Sequence, residues 1–135
     1  MAEPLVSIVI PVFNGMPFLE QAVDSVKSQT YPNIELILVD GGSTDGSREW
    51  VAESGSRHEL LEAPSSPSNT WTTATNSARG DFVVLLCQDD LLYPEAIASQ
   101  VAQMKGRPEL SAAIAQRDIV DATGVVVKRQ RGLMG

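Results

Sequence analysis

Asp89 and Asp90 stand side by side at the end of Phe82-Val83-Val84-Leu85-Leu86-Cys87, an apolar run without a charge. Adjacent carboxylates repel each other, and a hard divalent cation held through oxygen relieves that repulsion. A solvated loop after a strand is the other reading of the same pair. Two further sets stand in comparable places. Asp40 closes the run Ile34-Glu35-Leu36-Ile37-Leu38-Val39, and Phe13-Asn14-Gly15 follows Val6-Ser7-Ile8-Val9-Ile10-Pro11-Val12. Behind Asp40 comes Gly41-Gly42-Ser43-Thr44-Asp45-Gly46-Ser47, a glycine-rich turn entering a helix, where backbone N–H groups and the helix dipole favour an anion. An aromatic ring, a lone carboxylate and a carboxylate pair suit a nucleoside diphosphate. The ring stacks on a base, the carboxylate accepts from a base N–H, and a cation bridges the phosphates. Other nucleotide sites do not fit. No Gly-Lys-Ser or Gly-Lys-Thr occurs, which excludes a P-loop, and Phe13-Asn14-Gly15-Met16-Pro17 lacks the dinucleotide-binding glycines. A phosphoryl-accepting receiver domain needs acids after the first strand, and none follows Val9-Ile10-Pro11.

The elements that must position these residues alternate. Residues 6–12 read as a β-branched strand, and 17–29 as an amphipathic helix with Phe18, Leu19, Ala22, Val23 and Val26 at helical spacing. Residues 34–39 are a second strand, and a helix from about Ser47 carries Trp50 and Val51. A weak strand over 59–62, a Pro- and Ser-rich loop over 63–69 and a short helix over 71–78 follow. Residues 81–87 read as a strand buried on both faces and central in the sheet. A helix over 94–104, a fifth strand over 111–115 and a terminal hairpin around 124–127 complete the chain. This alternation implies an α/β fold, Rossmann-like, with a mainly parallel sheet and helices on both faces. Right-handed crossovers then gather the loops after the first, second and buried strands on one rim, at the carboxyl ends where open α/β sheets bind ligands.

At 135 residues the chain has room for one domain with a real core. Hydrophobic residues at 43% and charged residues at 20% exclude disorder, and a net charge of −7 argues against a nucleic-acid partner. A single cysteine, Cys87, excludes an internal disulfide and points to a reducing, cytoplasmic setting, with a peripheral place at the inner membrane face as the alternative.

Four stretches carry a resemblance. Val6 to Asn14, Ser28-Gln29-Thr30-Tyr31-Pro32-Asn33-Ile34-Glu35, Val39 to Ser47, and Ala78-Arg79-Gly80-Asp81 followed by Gln88-Asp89-Asp90 and Pro94 resemble family-two glycosyltransferases. The likeness runs in order over nearly the whole chain. It implies the A-type glycosyltransferase fold, inverting sugar transfer from a nucleoside diphosphate donor, polysaccharide biosynthesis, and Mg2+ or Mn2+. It places Pro11, Phe13, Asn14, Asp40, Gly41 and Asp89 at the nucleotide, and Asp89 and Asp90 at the metal. The acceptor would be a sugar, lipid or protein hydroxyl. Gly41 stands where many members carry a second Asp, and Cys87 where the first Asp of an Asp-x-Asp motif is common. Members also continue into a half that binds the acceptor and supplies a general base. The expectation for residues 1–135 is therefore one nucleotide-sugar-binding domain without that half and without an assignable base. A binding module without turnover is the alternative. Self-association through the C-terminal third is expected from apolar side chains near Ile114, Ile119 and Val125-Val126-Val127.

Other residues have plainer readings. Asp45 is a helix cap, Asp81 turns the chain, His58 lies on the surface, Cys87 is a small core residue, and Trp50 and Trp71 pack helices. Lys128, Arg129 and Arg131 read as a solvated tail.

Overall fold

The computed structural model describes residues 3–62, 65–113, 117–123 and 125–130. In chain order these form β1 (Val6–Val12), α1 (Leu19–Lys27), β2 (Ile34–Asp40), α2 (Ser47–Glu53), β3 (Arg57–Leu60), α3 (Pro67–Asn76), β4 (Phe82–Leu85), α4 (Ala96–Met104), β5 (Arg117–Val120) and β6 (Val126–Gln130). The chain divides into two compact units, Met1–Ile97 and Ala98–Gly135.

In the first unit four parallel strands lie in the order β3-β2-β1-β4. Val6 pairs with both Ile34 and Phe82, and the β1–β2 ladder runs on to Val12 opposite Asp40. All seven residues of β1 are buried. The strand expected at the centre, 81–87, is instead a four-residue edge strand of this sheet, with Val83 49% and Leu85 38% exposed. An apolar run shows that a strand meets the core but not how many neighbours it has, and here β1 takes the central place.

Side chains alternate along a strand, so β1 and β2 each feed two cores. Val9, Ile37 and Val39 pack with Ala74 of α3, backed by Leu61 and Ala78. Ile8, Ile10 and Leu38 point the other way and are fully buried too. Right-handed crossovers put α1 and α2 on one face, since β1, β2 and β3 progress in one direction, and α3 on the other, where the chain returns past β1 to β4. The strand order reverses between β1 and β4, which opens a crevice beyond their carboxyl ends.

Local sequence explains most element boundaries. Leu19, Ala22, Val23 and Val26 form the buried stripe of α1, which is shorter than the expected 17–29. The helix α3 starts four residues before the expected 71, inside the stretch read as loop. Ser66 caps it by accepting the Asn69 N–H at 3.1 Å, and Pro67 sits at its first position. That Ser-Pro pair is a helix start rather than a turn.

The amino ends of β1 and β4 are joined by a polar knot. The Asp81 carboxylate accepts the Leu5 N–H at 3.0 Å, and the Gly80 N–H donates to Ser7 Oγ at 2.8 Å. A Cβ on Gly80 would lie 2.7 Å from Leu5 O and Ser7 N, so only glycine lets the strands approach this closely. The buried Ser7 hydroxyl donates to Glu35 at 2.5 Å, and Glu35 also accepts from the Arg79 N–H at 2.8 Å and from Arg57 at 3.2 Å.

In the second unit β5 and β6 form an antiparallel hairpin, with an irregularity between Ile119 and Val120. Asp121 organises its turn by accepting from the Thr123 and Val125 N–H groups. Ile119, Val125, Val126 and Val127 are exposed. Of the expected fifth strand, residues 111–113 have no regular structure, while Ile114 and Ala115 lie outside the described residues, as does Arg131. Among the described residues no helix is long and apolar enough to cross a membrane.

Glu35 yields a pH prediction. Burial pushes its carboxyl up, but the hydrogen bonds from Ser7 and the Arg79 N–H and the pairing with Arg57 outweigh it and hold the group below the usual glutamate range. A depressed folded-state pKa contributes stability above the unfolded value, about 4.3, and that contribution is lost as pH falls through the folded value. Unfolding titrations should show a shallower loss of stability in Glu35→Gln than in the wild type below about pH 4.3. Equal acid slopes would remove Glu35 from the account.

Candidate active site

The loop after β1 has four successive backbone N–H groups, and each is taken by a side chain from another loop. Phe13 N–H donates to Gln88 Oε1 at 2.9 Å, Asn14 to Ser43 Oγ at 2.9 Å, Gly15 to Ser47 Oγ at 2.9 Å and Met16 to Asp45 Oδ2 at 3.1 Å. In return Asn14 Oδ1 accepts the Thr44 N–H at 2.8 Å. Asn14 itself has φ 48, the left-handed conformation that Asn tolerates better than most residues. The glycine-rich turn after β2 is therefore a clamp on the loop after β1.

Asp40 holds that clamp from beneath. It is fully buried, and its Oδ2 accepts from the Gly42 N–H at 2.9 Å, the Ser43 N–H at 3.0 Å and Arg48 Nη1 at 3.0 Å. Its Oδ1 accepts from the Ser43 hydroxyl at 2.6 Å, which fixes the Ser43 oxygen as acceptor for Asn14. Arg48 also donates to Leu61 O at 2.8 Å, tying in the end of β3. Of the N–H groups in the turn expected to favour an anion, those of Gly42, Ser43, Thr44 and Ser47 are engaged by the protein's own side chains. Asp45 does serve the start of α2, accepting the Ser47 N–H at 2.9 Å while it reaches back to Met16. Burial raises its carboxyl, but the hydrogen bonds from Ser47 and Met16 prevail and lower it.

On the β4 side the last ladder bond runs from Leu86 N–H to Val9 O at 3.0 Å. The Gln88 side chain then continues the ladder where the strand stops. Its amide accepts from Phe13 N–H and donates to Phe13 O at 2.8 Å. The turn that follows closes with Asp90 N–H on Cys87 O at 3.0 Å and presents both Asp89 and Asp90 to solvent. Its far side is held by Ser25 of α1 and by Gln29 just after that helix. Ser25 Oγ accepts the Leu92 N–H at 3.1 Å, and Gln29 donates to Tyr93 O at 2.7 Å and accepts the Ile97 N–H at 3.1 Å.

The candidate residues thus separate by depth. Phe13, 53% exposed, Asn14, Asp89 and Asp90 face solvent, whereas Pro11 is a buried β1 residue opposite Val39, and Asp40 and Gly41 lie beneath the surface. Gly41 has no room for a side chain, because a Cβ there would stand 2.6 Å from Thr70 Oγ1. Thr70 occupies the space that a second Asp would need. Cys87 is half-buried rather than core, and burial, then the charges of Asp90 and Asp89, push its thiol up and keep it protonated. Trp71, expected to pack, is 43% exposed. Arg48 and Thr70 were not singled out by the sequence, and Ser43, Ser47 and Gln88 entered only as parts of motifs, without the roles seen here. A buried carboxylate such as Asp40 needs a cation, and Arg48 on the next helix was the available signal.

No group of three or more His, Cys, Asp or Glu side chains is placed to hold a metal among the described residues. Two exposed carboxylates on one turn fit a hard cation that takes its remaining oxygens from a diphosphate, which is how Mg2+ commonly binds.

The family model for glycosyl transferase family 2 matches residues 7–133, and the chain belongs to that family. Two relatives are an uncharacterized glycosyltransferase of Haemophilus influenzae, 34% identical over 75% of this chain and 42% of its own length, and the O-antigen biosynthesis protein RfbC of Myxococcus xanthus, 36% identical over 90% of this chain and 10% of its own. The chain spans less than half of either. Among solved structures, the mannosyltransferase PcManGT of Pyrobaculum calidifontis, in complex with GDP-Man and Mn2+, matches with a TM-score of 0.64 at 27% identity, covering 79% of this chain and 34% of that one. TarS of S. aureus in complex with UDP matches with a TM-score of 0.67 at 19% identity, covering 86% of this chain and 41% of that one, and shares the fold.

Removing the Asp40 carboxylate should cost stability before anything else. Asp40→Ala leaves Arg48, 31% exposed, and two loop N–H groups without their acceptor. We expect a loss of about 2–3 kcal/mol in denaturant unfolding, toward the low side for one partner of a buried pair because Arg48 keeps some water. An unchanged midpoint would contradict the clamp.

Proposed function

We propose that this chain is the donor-binding part of an inverting glycosyltransferase that uses a nucleoside diphosphate sugar and Mg2+ or Mn2+ in polysaccharide biosynthesis. The observation that carries this reading is the meeting, at the β1/β4 crevice, of the exposed Phe13 ring, the clamped turn after β2 and the Asp89-Asp90 pair. Phe13 and Asn14, with Pro11 and the Asp40-Gly41 turn behind them, form the nucleoside side. Asp89 meets the ribose, and Asp89 and Asp90 hold the cation against the diphosphate. When bound, the cation neutralises the charge that develops on the departing diphosphate. GDP-Man and Mn2+ in the Pyrobaculum mannosyltransferase support this donor class and this metal, and the O-antigen relative supports the polysaccharide product.

Direct attack of an acceptor hydroxyl on the anomeric carbon, its proton passing to a general base as the diphosphate leaves on the opposite side, gives inversion. This chain's residues contribute by holding the donor still while that attack occurs. The two loops are hydrogen-bonded to each other by side chains of this chain, which limits the order that binding must create.

The test is calorimetry of UDP and GDP binding with and without Mn2+. One of the two should bind more tightly with the metal, and Asp89→Asn/Asp90→Asn should abolish that metal-dependent gain while leaving the melting temperature near wild type, since both residues are exposed. A folded double variant that keeps its metal-dependent affinity would overturn the assignment.

A further inference from the structure

Gln88 is the bridge between the two halves of the rim. Its amide accepts the Phe13 N–H at 2.9 Å and donates to the Phe13 carbonyl at 2.8 Å, and so fixes residue 13 in distance and in rotation. Gly15 leaves space for that amide, because a Cβ on residue 15 would stand 2.6 Å from Gln88 Oε1. Gly15 has no positive φ, so the reason for glycine here is this close approach and not the backbone conformation. The other ties on the loop after β1, from Ser43, Ser47 and Asp45, all run to the β2 side. Gln88 supplies two side-chain hydrogen bonds from this loop to the segment that carries the acidic turn.

We propose that Gln88 is a positioning residue that sets the distance between the nucleoside loop and the Asp89-Asp90 turn, so that one diphosphate can engage both at once. The proposal rests on the donor-binding reading above. Without Gln88 the nucleoside loop stays clamped to β2, and the acid pair stays on its turn, held from behind by Ser25 and Gln29. Each half then binds its own part of the ligand as before. What is lost is the register between them, and with it the gain from engaging both halves with a single molecule.

The test uses the full chain and four measurements: affinity for the nucleoside alone by NMR titration, for Mn2+ alone by electron paramagnetic resonance, and for UDP or GDP, whichever binds tighter, with and without Mn2+. In Gln88→Ala the nucleoside and Mn2+ affinities should stay within about twofold. The enhancement of diphosphate affinity by Mn2+ should fall about tenfold, the scale of one to two lost hydrogen bonds. Gly15→Ala, which displaces the amide by collision, should give the same selective loss. It should add little in the double variant, where there is no amide left to displace, so the two effects are non-additive.

A wild-type chain with no metal-dependent diphosphate binding overturns the donor-binding reading and this inference with it. A wild-type enhancement that survives in Gln88→Ala overturns the positioning role alone. So does a loss shared equally by nucleoside, metal and diphosphate, which is the pattern of general damage. If Gln88→Ala does not fold, Gly15→Ala must show the selective loss by itself, and its absence there refutes the proposal.

Discussion

Four backbone N–H groups in a row, from Phe13 to Met16, have no regular secondary structure to satisfy them, and the rim is built around solving that problem. A loop leaving the centre of a sheet carries strong donors that are costly to leave unpaired when buried. Here they are met one by one by Gln88, Ser43, Ser47 and Asp45, which come from the segment after β4 and from the turn and helix start after β2. The donors therefore do more than satisfy themselves. They fix the positions of the loops that answer them, and those loops carry the exposed residues of the rim.

The arrangement is layered. Asp40 lies below and touches no solvent, but it orients the Ser43 hydroxyl and holds Arg48, so the clamp has a rigid base. Above it the candidate residues that are exposed are a ring, an amide and two carboxylates. Separating the groups that hold shape from the groups that face solvent lets a charged rim stand on a fully satisfied interior. Among the described residues no buried side-chain nitrogen or oxygen is left without a partner.

Much of this was legible in the residues. The periodicities of 6–12, 17–29 and 34–39 gave the parallel α/β order, and acids at strand ends gave the rim. Two things were not legible, for different reasons. The apolar run 81–87 could not reveal that β4 lies at an edge of this sheet, because neighbours are set by crossover direction and not by local composition. The depth of Asp40 was also hidden. A carboxylate at a strand end reads as a ligand group, and only the geometry of Ser43 and Arg48 around it shows how fully the chain itself uses it. Likewise Ser43 and Ser47 read as turn formers, since the side-chain acceptors they supply serve a loop about 30 residues earlier.

The central claim is that the loop after β1 is locked by side chains from its neighbours. Amide hydrogen exchange at Phe13, Asn14, Gly15 and Met16 tests it directly, because protection requires that each N–H be held closed. These four amides should exchange as slowly as those in the β1–β2 ladder, although Phe13 and Asn14 have exposed side chains. Exchange at the rate of an open loop, with the β1 ladder still protected, would contradict it.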